Sequence, residues 1–521
     1  MIPRASVVFF IFASLSLAQY DIVLRSGRIH TGAGNPWFQG DLAVSGDSIV
    51  AVGQLPSSHT AKRTIDLHGL AVAPGFIDTH SHARGGIFTV PSAENYIRQG
   101  VTTVFEGPDG NSPIPIRPFL DKLAATRIAI NFGMLVGQGS IRNAVIGSQN
   151  RKATPEEIQK MREIARQAML DGAFGMSTGL YYVPGNFSTT EEVIELAKVV
   201  AAFGGFHTSH MRDEAAAVLD SVRETIRIGE EGGLPTQVTH HKVIGGPNFG
   251  KSVETLRLVE EARARGVDAT VDQYPYTASS TGTEAMFPQW SLAGGLPALR
   301  ERLAAPDQRQ KIKAVIVEKL KNDRGAGDPK NVEIASCAFD PSLAGKNLAE
   351  ITAARGVPVT FETAAETAME IQSKGGCMAI YHSMSEEDVE RILRFPYTMI
   401  ASDGGIPVFG KEVPHPRSYG AFARVLGRYV RERKVITLED AVRKMTSFPA
   451  ARAGLSDRGL LAPGMKADIA VFDPAGVRDR AEFGKPHQYA EGMVHVLVNG
   501  QLVLFEGKMT GDLSGRVLRK R

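Results

Sequence analysis

Short apolar runs separated by longer amphipathic stretches set the rhythm of the central part of this chain. The runs at 75–80, 101–106, 130–136, 173–177, 205–209, 236–239, 268–272 and 397–401 are rich in β-branched, aromatic or small residues, as buried strands are. Amphipathic stretches between them have the period of helices. The one at 155–170 carries its own start signal: Thr154 as cap, Pro155 in the first position and Glu157 completing a capping box. Stretches 213–230 and 253–265 repeat the apolar spacing. Eight strands alternating with helices predict a closed (β/α)₈ barrel, an α/β fold.

Both ends of the chain have a different texture. Residues 20–24, 41–44 and 48–52 read as short strands, with turns expected at Ser26-Gly27 and Gly46-Asp47. Near the other end, 468–472, 494–498 and 501–504 read the same way, and Asn499-Gly500 is a strong hairpin signal. The organisation expected is a leader at 1–18, a first β-sandwich segment at 19–73, a barrel at 74–450 and a second sandwich segment at 451–521. A charged helical excursion from the barrel is expected at about 287–345. No internal repeat or low-complexity segment interrupts this plan.

Composition narrows the class of partner. The 521 residues are 43% hydrophobic and 22% charged, ordinary for a globular chain. With 59 basic and 56 acidic residues the net charge is only +3, which offers nothing to nucleic acid or to an anionic membrane surface. Arg516, Arg519, Lys520 and Arg521 read as a solvated tail. At the other end, Arg4, the apolar stretch 7–17 and Ser16-Leu17-Ala18 have the charge, length and small residues of a cleavable secretory signal. No later stretch has transmembrane length, so a periplasmic or extracellular chain without stable membrane insertion is expected. Cys337 and Cys377, the only cysteines, are free to pair or to remain thiols. Nothing in the sequence speaks to oligomeric state.

The chemistry begins at Pro74-Gly75-Phe76-Ile77-Asp78-Thr79-His80-Ser81-His82. On a strand, His80 and His82 share a face, and two imidazoles on one face are half of a metal site. His210, His240 and Asp403 each fall at or near the carboxyl end of a predicted strand, the end at which barrels build active sites. Three-nitrogen or four-nitrogen donor sets with a carboxylate suit zinc or a similar ion. Lys242, two residues after His240, would face the same way on a strand, and its cation suits a substrate carboxylate. Arg417 could clamp such a carboxylate with two parallel hydrogen bonds. The glycine-rich stretch 175–185 reads as a loop over the site. His241 falls on the opposite face and reads as structural; His30, His59 and His68 read as solvated or packed.

These residues carry a resemblance. Stretches 74–82, 99–103, 172–180, 208–214, 239–242, 272–280, 402–404, 415–417 and 425–431, in that order, resemble the N-acyl-D-amino-acid deacylase (D-aminoacylase) family of the amidohydrolase superfamily. The resemblance implies a zinc-dependent hydrolase of linear amides, with one or two metal ions and an N-acyl amino acid as small-molecule partner. It implies His80, His82, His210 and His240 as metal ligands and Asp403 as general base and acid. Tyr274 and Ser280 match positions that hold the substrate carboxylate, Tyr276 being the alternative to Tyr274. One position departs from the pattern: Asp109 stands where the family usually has a cysteine after strand two, with Glu106 as the alternative oxygen donor. A carboxylate there can still bind zinc or bridge two ions. The predicted fourth strand holds no lysine, against the carbamylated-lysine bridge of cyclic-amide hydrolases. A dipeptidase, a cyclic-amide hydrolase and a non-catalytic metal-holding protein are the competing readings.

Overall fold

The alternation of strands and helices closes into a barrel in the computed structural model, which describes residues 19–520. The expected leader at 1–18 lies outside the described residues. The barrel strands are β1 (Phe76–Asp78), β2 (Val101–Glu106), β3 (Asn131–Met134, continued by Val136–Gly137), β4 (Gly175–Gly179), β5 (Phe206–His210), β6 (Thr236–Val238), β7 (Ala269–Gln273) and β8 (Thr398–Ile400). Neighbours from β1 to β8 pair in parallel. The seam between β8 and β1 is closed beyond the strand ends. There Ser402 N donates to Asp78 Oδ1 (3.0 Å), Asp403 N to His80 O (2.9 Å) and His82 N to Gly404 O (2.7 Å). Helix Pro155–Leu170 has the reciprocal Thr154–Glu157 capping box.

The β-sandwich draws strands from both ends of the chain into one network of nine. Ile469–Phe472 pairs with Ala71–Pro74 and thereby joins the two halves. Alternation decides what each face covers. Val72, Ile469, Val471 and Leu497 enter the sandwich's own core, while Ala71, Ala73, Ala470, Phe472, Val496 and Val498 pack with the barrel core. The hairpins at Gly46-Asp47 and Asn499-Gly500 form. Ser26-Gly27 does not turn the chain: Gln19–Ile29 is one strand with a bulge between Leu24 and Gly27, and Ser26 takes φ 58° to accommodate it.

The excursion is larger than the 287–345 expected from charge and helical pattern. Between β7 and β8 an inserted layer runs from Ser279–Gly282 to Met378–Tyr381, and these two strands with Val332–Ser336 form a separate antiparallel sheet. The helix Phe361–Ser373 belongs to this layer because its apolar face (Ala364, Ala365, Ala368, Met369) packs on Ile312, Ile316 and Leu320 of Pro306–Asn322. Cys337 and Cys377 are joined as a disulfide within the layer. Among the described residues no helix is long and apolar enough to cross a membrane.

Candidate metal centre

Two groups of ligand atoms converge at the carboxyl ends of the strands, and Asp109 belongs to both. His80, His82, Asp109 and Asp403 form one; Asp109, His210 and His240 form the other, with the ligand atoms of each within 4.8 Å of one another. Asp109 Oδ2 lies 3.6 Å from His80 Nε2 and 3.5 Å from His82 Nε2. Its Oδ1 lies 3.3 Å from His240 Nε2 and 3.5 Å from His210 Nδ1. One carboxylate thus faces two clusters with two different oxygens. The alternative, Glu106, turns away: it accepts from the Arg84 backbone N–H at 2.8 Å.

Only His210 ends its strand. His80 and His82 lie beyond β1, so the period-two argument does not place them; the seam hydrogen bonds do. Asp109, His240 and Asp403 all have positive φ (53°, 36° and 51°), a conformation that L side chains adopt only when surroundings enforce it. The Asp109 loop is held by β4. Ser177 Oγ donates to Gly107 O and accepts from Gly110 N. A Cβ at Gly179 would stand 2.0 Å from Asp109 O, so glycine is what lets the loop lie on the strand. Residues 175–179 of the glycine-rich stretch are therefore strand β4, and the expected loop begins only past Gly179.

His80, His240 and Asp403 are oriented from behind. His80 Nδ1 meets Thr239 Oγ1 at 2.6 Å, and that hydroxyl donates to Asp272 Oδ2 at 2.7 Å. Asp272 Oδ1 also accepts from His240 N at 2.6 Å. Asp403 presents Oδ1 to His82 Nε2 (3.1 Å) and His80 Nε2 (3.4 Å), while Arg417 NH1 donates to its Oδ2 at 2.8 Å. Burial works against charge on Asp403, but Arg417 and His80 hold its carboxyl well below the usual range. Burial likewise opposes charge on His82, yet Asp109 and Asp403 push its imidazole up to about 9.

The remaining sequence candidates divide. Ser280 and Arg417 line, with His82, Asp109 and Asp403, a cavity of about 1090 Å³. Lys242 does not reach it. Strand β6 ends at Val238 and the positive φ of His240 breaks the alternation, so Nζ turns inward, 2.6 Å from both Glu214 Oε1 and His240 Nδ1. Tyr274 lies buried behind the cavity wall, its ring 4.8 Å from the Arg417 guanidinium and 5.5 Å from Lys242 Nζ. Tyr276 is buried too, its hydroxyl 3.5 Å from Pro416 O. His241 packs outward on Thr255 (2.7 Å). His30 is buried and His68 exposed.

Sequence reasoning assigned no role to Glu214 or Arg324. Glu214 faces His240 Nδ1 (3.4 Å) and His210 Nε2 (3.9 Å), and Arg324, from the inserted layer, approaches it to 3.5 Å. The i, i+4 spacing from His210 was a signal for Glu214; nothing local marks Arg324.

The residues fit a metal. His80 Nε2 and Asp109 Oδ1 are buried at the centre of the clusters without a hydrogen-bond partner, a costly state that a cation relieves. Imidazole nitrogens with carboxylate oxygens are a zinc donor set.

The chain is similar to known proteins along nearly all of its length. The amidohydrolase family model matches residues 63–294 and 344–504. The D-aminoacylase of Alcaligenes xylosoxydans xylosoxydans is 40% identical over 96% of this chain and 98% of its own. The N-acyl-D-glutamate deacylase of Bordetella bronchiseptica, solved with zinc and a phosphonate mimic of the tetrahedral intermediate, is 34% identical, covering 96% of this chain and all of its own (100%), with a TM-score of 0.83. A D-aminoacylase structure addressing a binuclear metal centre, with one-metal activation and second-metal attenuation, is 37% identical over 96% of this chain and 100% of its own, TM-score 0.82.

Proposed function

The chain belongs to the amidohydrolase family, and from that premise we propose that it is a zinc-dependent deacylase that hydrolyses the linear amide of N-acyl-D-amino acids. The observation that carries this reading is the placement of Asp109 between two clusters of ligand atoms, with Asp403 completing the first at the cavity wall. His80, His82 and Asp109 would hold one ion, His210, His240 and Asp109 a second. A bound zinc supplies Lewis acidity, lowering the pKa of water and polarising the amide carbonyl.

The protein's part is proton handling and orientation. Asp403 directs Oδ1 into the cluster while Arg417 fixes Oδ2. It is therefore positioned to take the proton of the attacking water and to return it to the departing amine nitrogen. Arg417 also reaches Ser280 O (3.3 Å) and lines the cavity, so it supplies the cation that the substrate carboxylate meets. His240 Nδ1 accepts from Lys242 Nζ at 2.6 Å and lies 3.4 Å from Glu214 Oε1, so this buried pair orients the ring that would help hold the ion. Asp109 would serve both ions where β4 offers no lysine, which favours linear over cyclic amides.

The same reading sends the chain out of the cytoplasm: the secretory pattern at 1–18 and the Cys337–Cys377 disulfide both suit an oxidising compartment. The test is turnover by zinc-loaded protein of N-acetyl-D-, N-acetyl-L- and dipeptide substrates. Release of D-amino acids, with Asp403→Asn retaining zinc but slower by several orders of magnitude, supports the proposal. Hydrolysis of dipeptides alone, or near-parental activity in Asp403→Asn, rejects it.

A further inference from the structure

Beside the main cavity lies a second one of about 300 Å³, and the two share Tyr182, Val183 and Glu284. The rest of its wall is mainly apolar and aromatic, with Tyr181, Phe287 and Leu299 among the lining residues. Its mouth is close to the ligand cluster, since the Tyr182 ring stands 4.5 Å from that of His210. Tyr182 is fixed there by the hydrogen bond between its hydroxyl and Thr281 Oγ1 at 3.0 Å.

Glu284 is the anomaly in this wall. It belongs to the short turn Thr283–Met286, and its carboxylate folds back over Gly282. Burial pushes its carboxyl up, and no cation among the described residues opposes that effect. Nearby charges are engaged elsewhere. Arg417 pairs with Asp403 and Arg84 lies against Glu106. Lys319 donates to Tyr181 Oη (2.5 Å) and Ala285 O (3.0 Å) and lies 3.9 Å from Asp323. A half-buried carboxylate without a counter-ion, set among aromatic rings at the edge of a substrate cavity, has the chemistry of a cation receptor.

We propose that the side cavity receives the side chain of the N-acyl amino acid and that Glu284 selects a cationic one, of the lysine or arginine type. This rests on the deacylase reading and narrows its substrate class. The aliphatic stem of such a side chain lies along the apolar wall, and its charged end meets Glu284. The carboxylate at the other end of the substrate meets Arg417, so one molecule answers both charges.

The experiment compares kcat/KM of the full, zinc-loaded chain for N-acetyl-D-lysine, N-acetyl-D-arginine, N-acetyl-D-norleucine and N-acetyl-D-glutamate. The lysine-to-norleucine ratio should exceed about tenfold, what one charge-assisted hydrogen bond is worth. Glu284→Gln should collapse that ratio by a similar factor. Because both substrates are read on one preparation, partial misfolding cancels from the ratio. A parental ratio at or below one, or a ratio unchanged in Glu284→Gln, overturns the proposal. Turnover of norleucine without preference for lysine removes this inference and leaves the deacylase reading standing; turnover of none of the four removes both.

Discussion

Replacing Glu214 by glutamine removes one charge from a buried cluster of ionic side chains. Its carboxylate accepts from Lys242 at 2.6 Å and lies 3.5 Å from the Arg324 guanidinium, and all three side chains are at most 3% exposed. Burial works against this carboxylate, but Lys242, His210, His240 and Arg324 hold its pKa below the usual range. Glutamine keeps the shape and one acceptor but leaves Arg324 with only Asp323, 3.7 Å from its Nε, and takes from Lys242 the one carboxylate it pairs with among the described residues. Breaking a buried pair from one side costs about 3–5 kcal/mol, and the acceptor that remains puts this change near the lower end, about 3 kcal/mol. In a chain this long each kcal/mol lowers the melting temperature by roughly 1–2 °C, so a fall of about 3–6 °C is expected. Differential scanning calorimetry on zinc-free protein is the assay, because bound metal would add its own stabilisation. A double-mutant cycle sharpens it: Lys242→Met removes one of the orphaned cations, so Glu214→Gln/Lys242→Met should lose less than the sum of the single changes by about 1 kcal/mol or more. A melting temperature within about 1 °C of the parent, or strict additivity in the cycle, would refute the reasoning.

Two further outcomes concern groups away from the metal centre. His207 is buried between Thr178 and Thr236 (2.9 Å to each hydroxyl), and burial pushes its imidazole down to about 3. The unfolded chain therefore binds the extra proton first: this contribution is intact above pH 6.5 and is lost as pH falls towards 3, about 2 kcal/mol of it by pH 5. Urea midpoints between pH 7.5 and 5 should flatten in His207→Gln, and an unchanged pH slope would remove His207 as the cause. The Cys337–Cys377 bridge spans a sequence separation of 40, which by loop entropy is worth about 4 kcal/mol. Replacing both cysteines by serine should lower the thermal midpoint of the parent and abolish any effect of reductant on it. A reductant effect that persists in the serine variant would point elsewhere.

Periodicity and residue chemistry, both local properties, determined much of this protein before any contact was known. The eight barrel strands, the capping box at Thr154 and Glu157, the hairpins at Gly46-Asp47 and Asn499-Gly500 and the choice of His80, His82, His210, His240 and Asp403 as chemically apt donors were all legible in the sequence. What the tertiary structure alone decided lies past the strand ends, where period two stops applying. The directions of His240, Asp109 and Asp403 depend on positive φ values enforced by neighbours distant in sequence. Lys242 turns to a buried Glu214 instead of the cavity because the chain has already left the strand. Arg324 reaches the same carboxylate from an inserted layer whose extent was hidden, since a charged outer face says nothing about which core the inner face joins. Periodicity reports which side of an element is apolar; only the closed barrel settles which atoms meet across it.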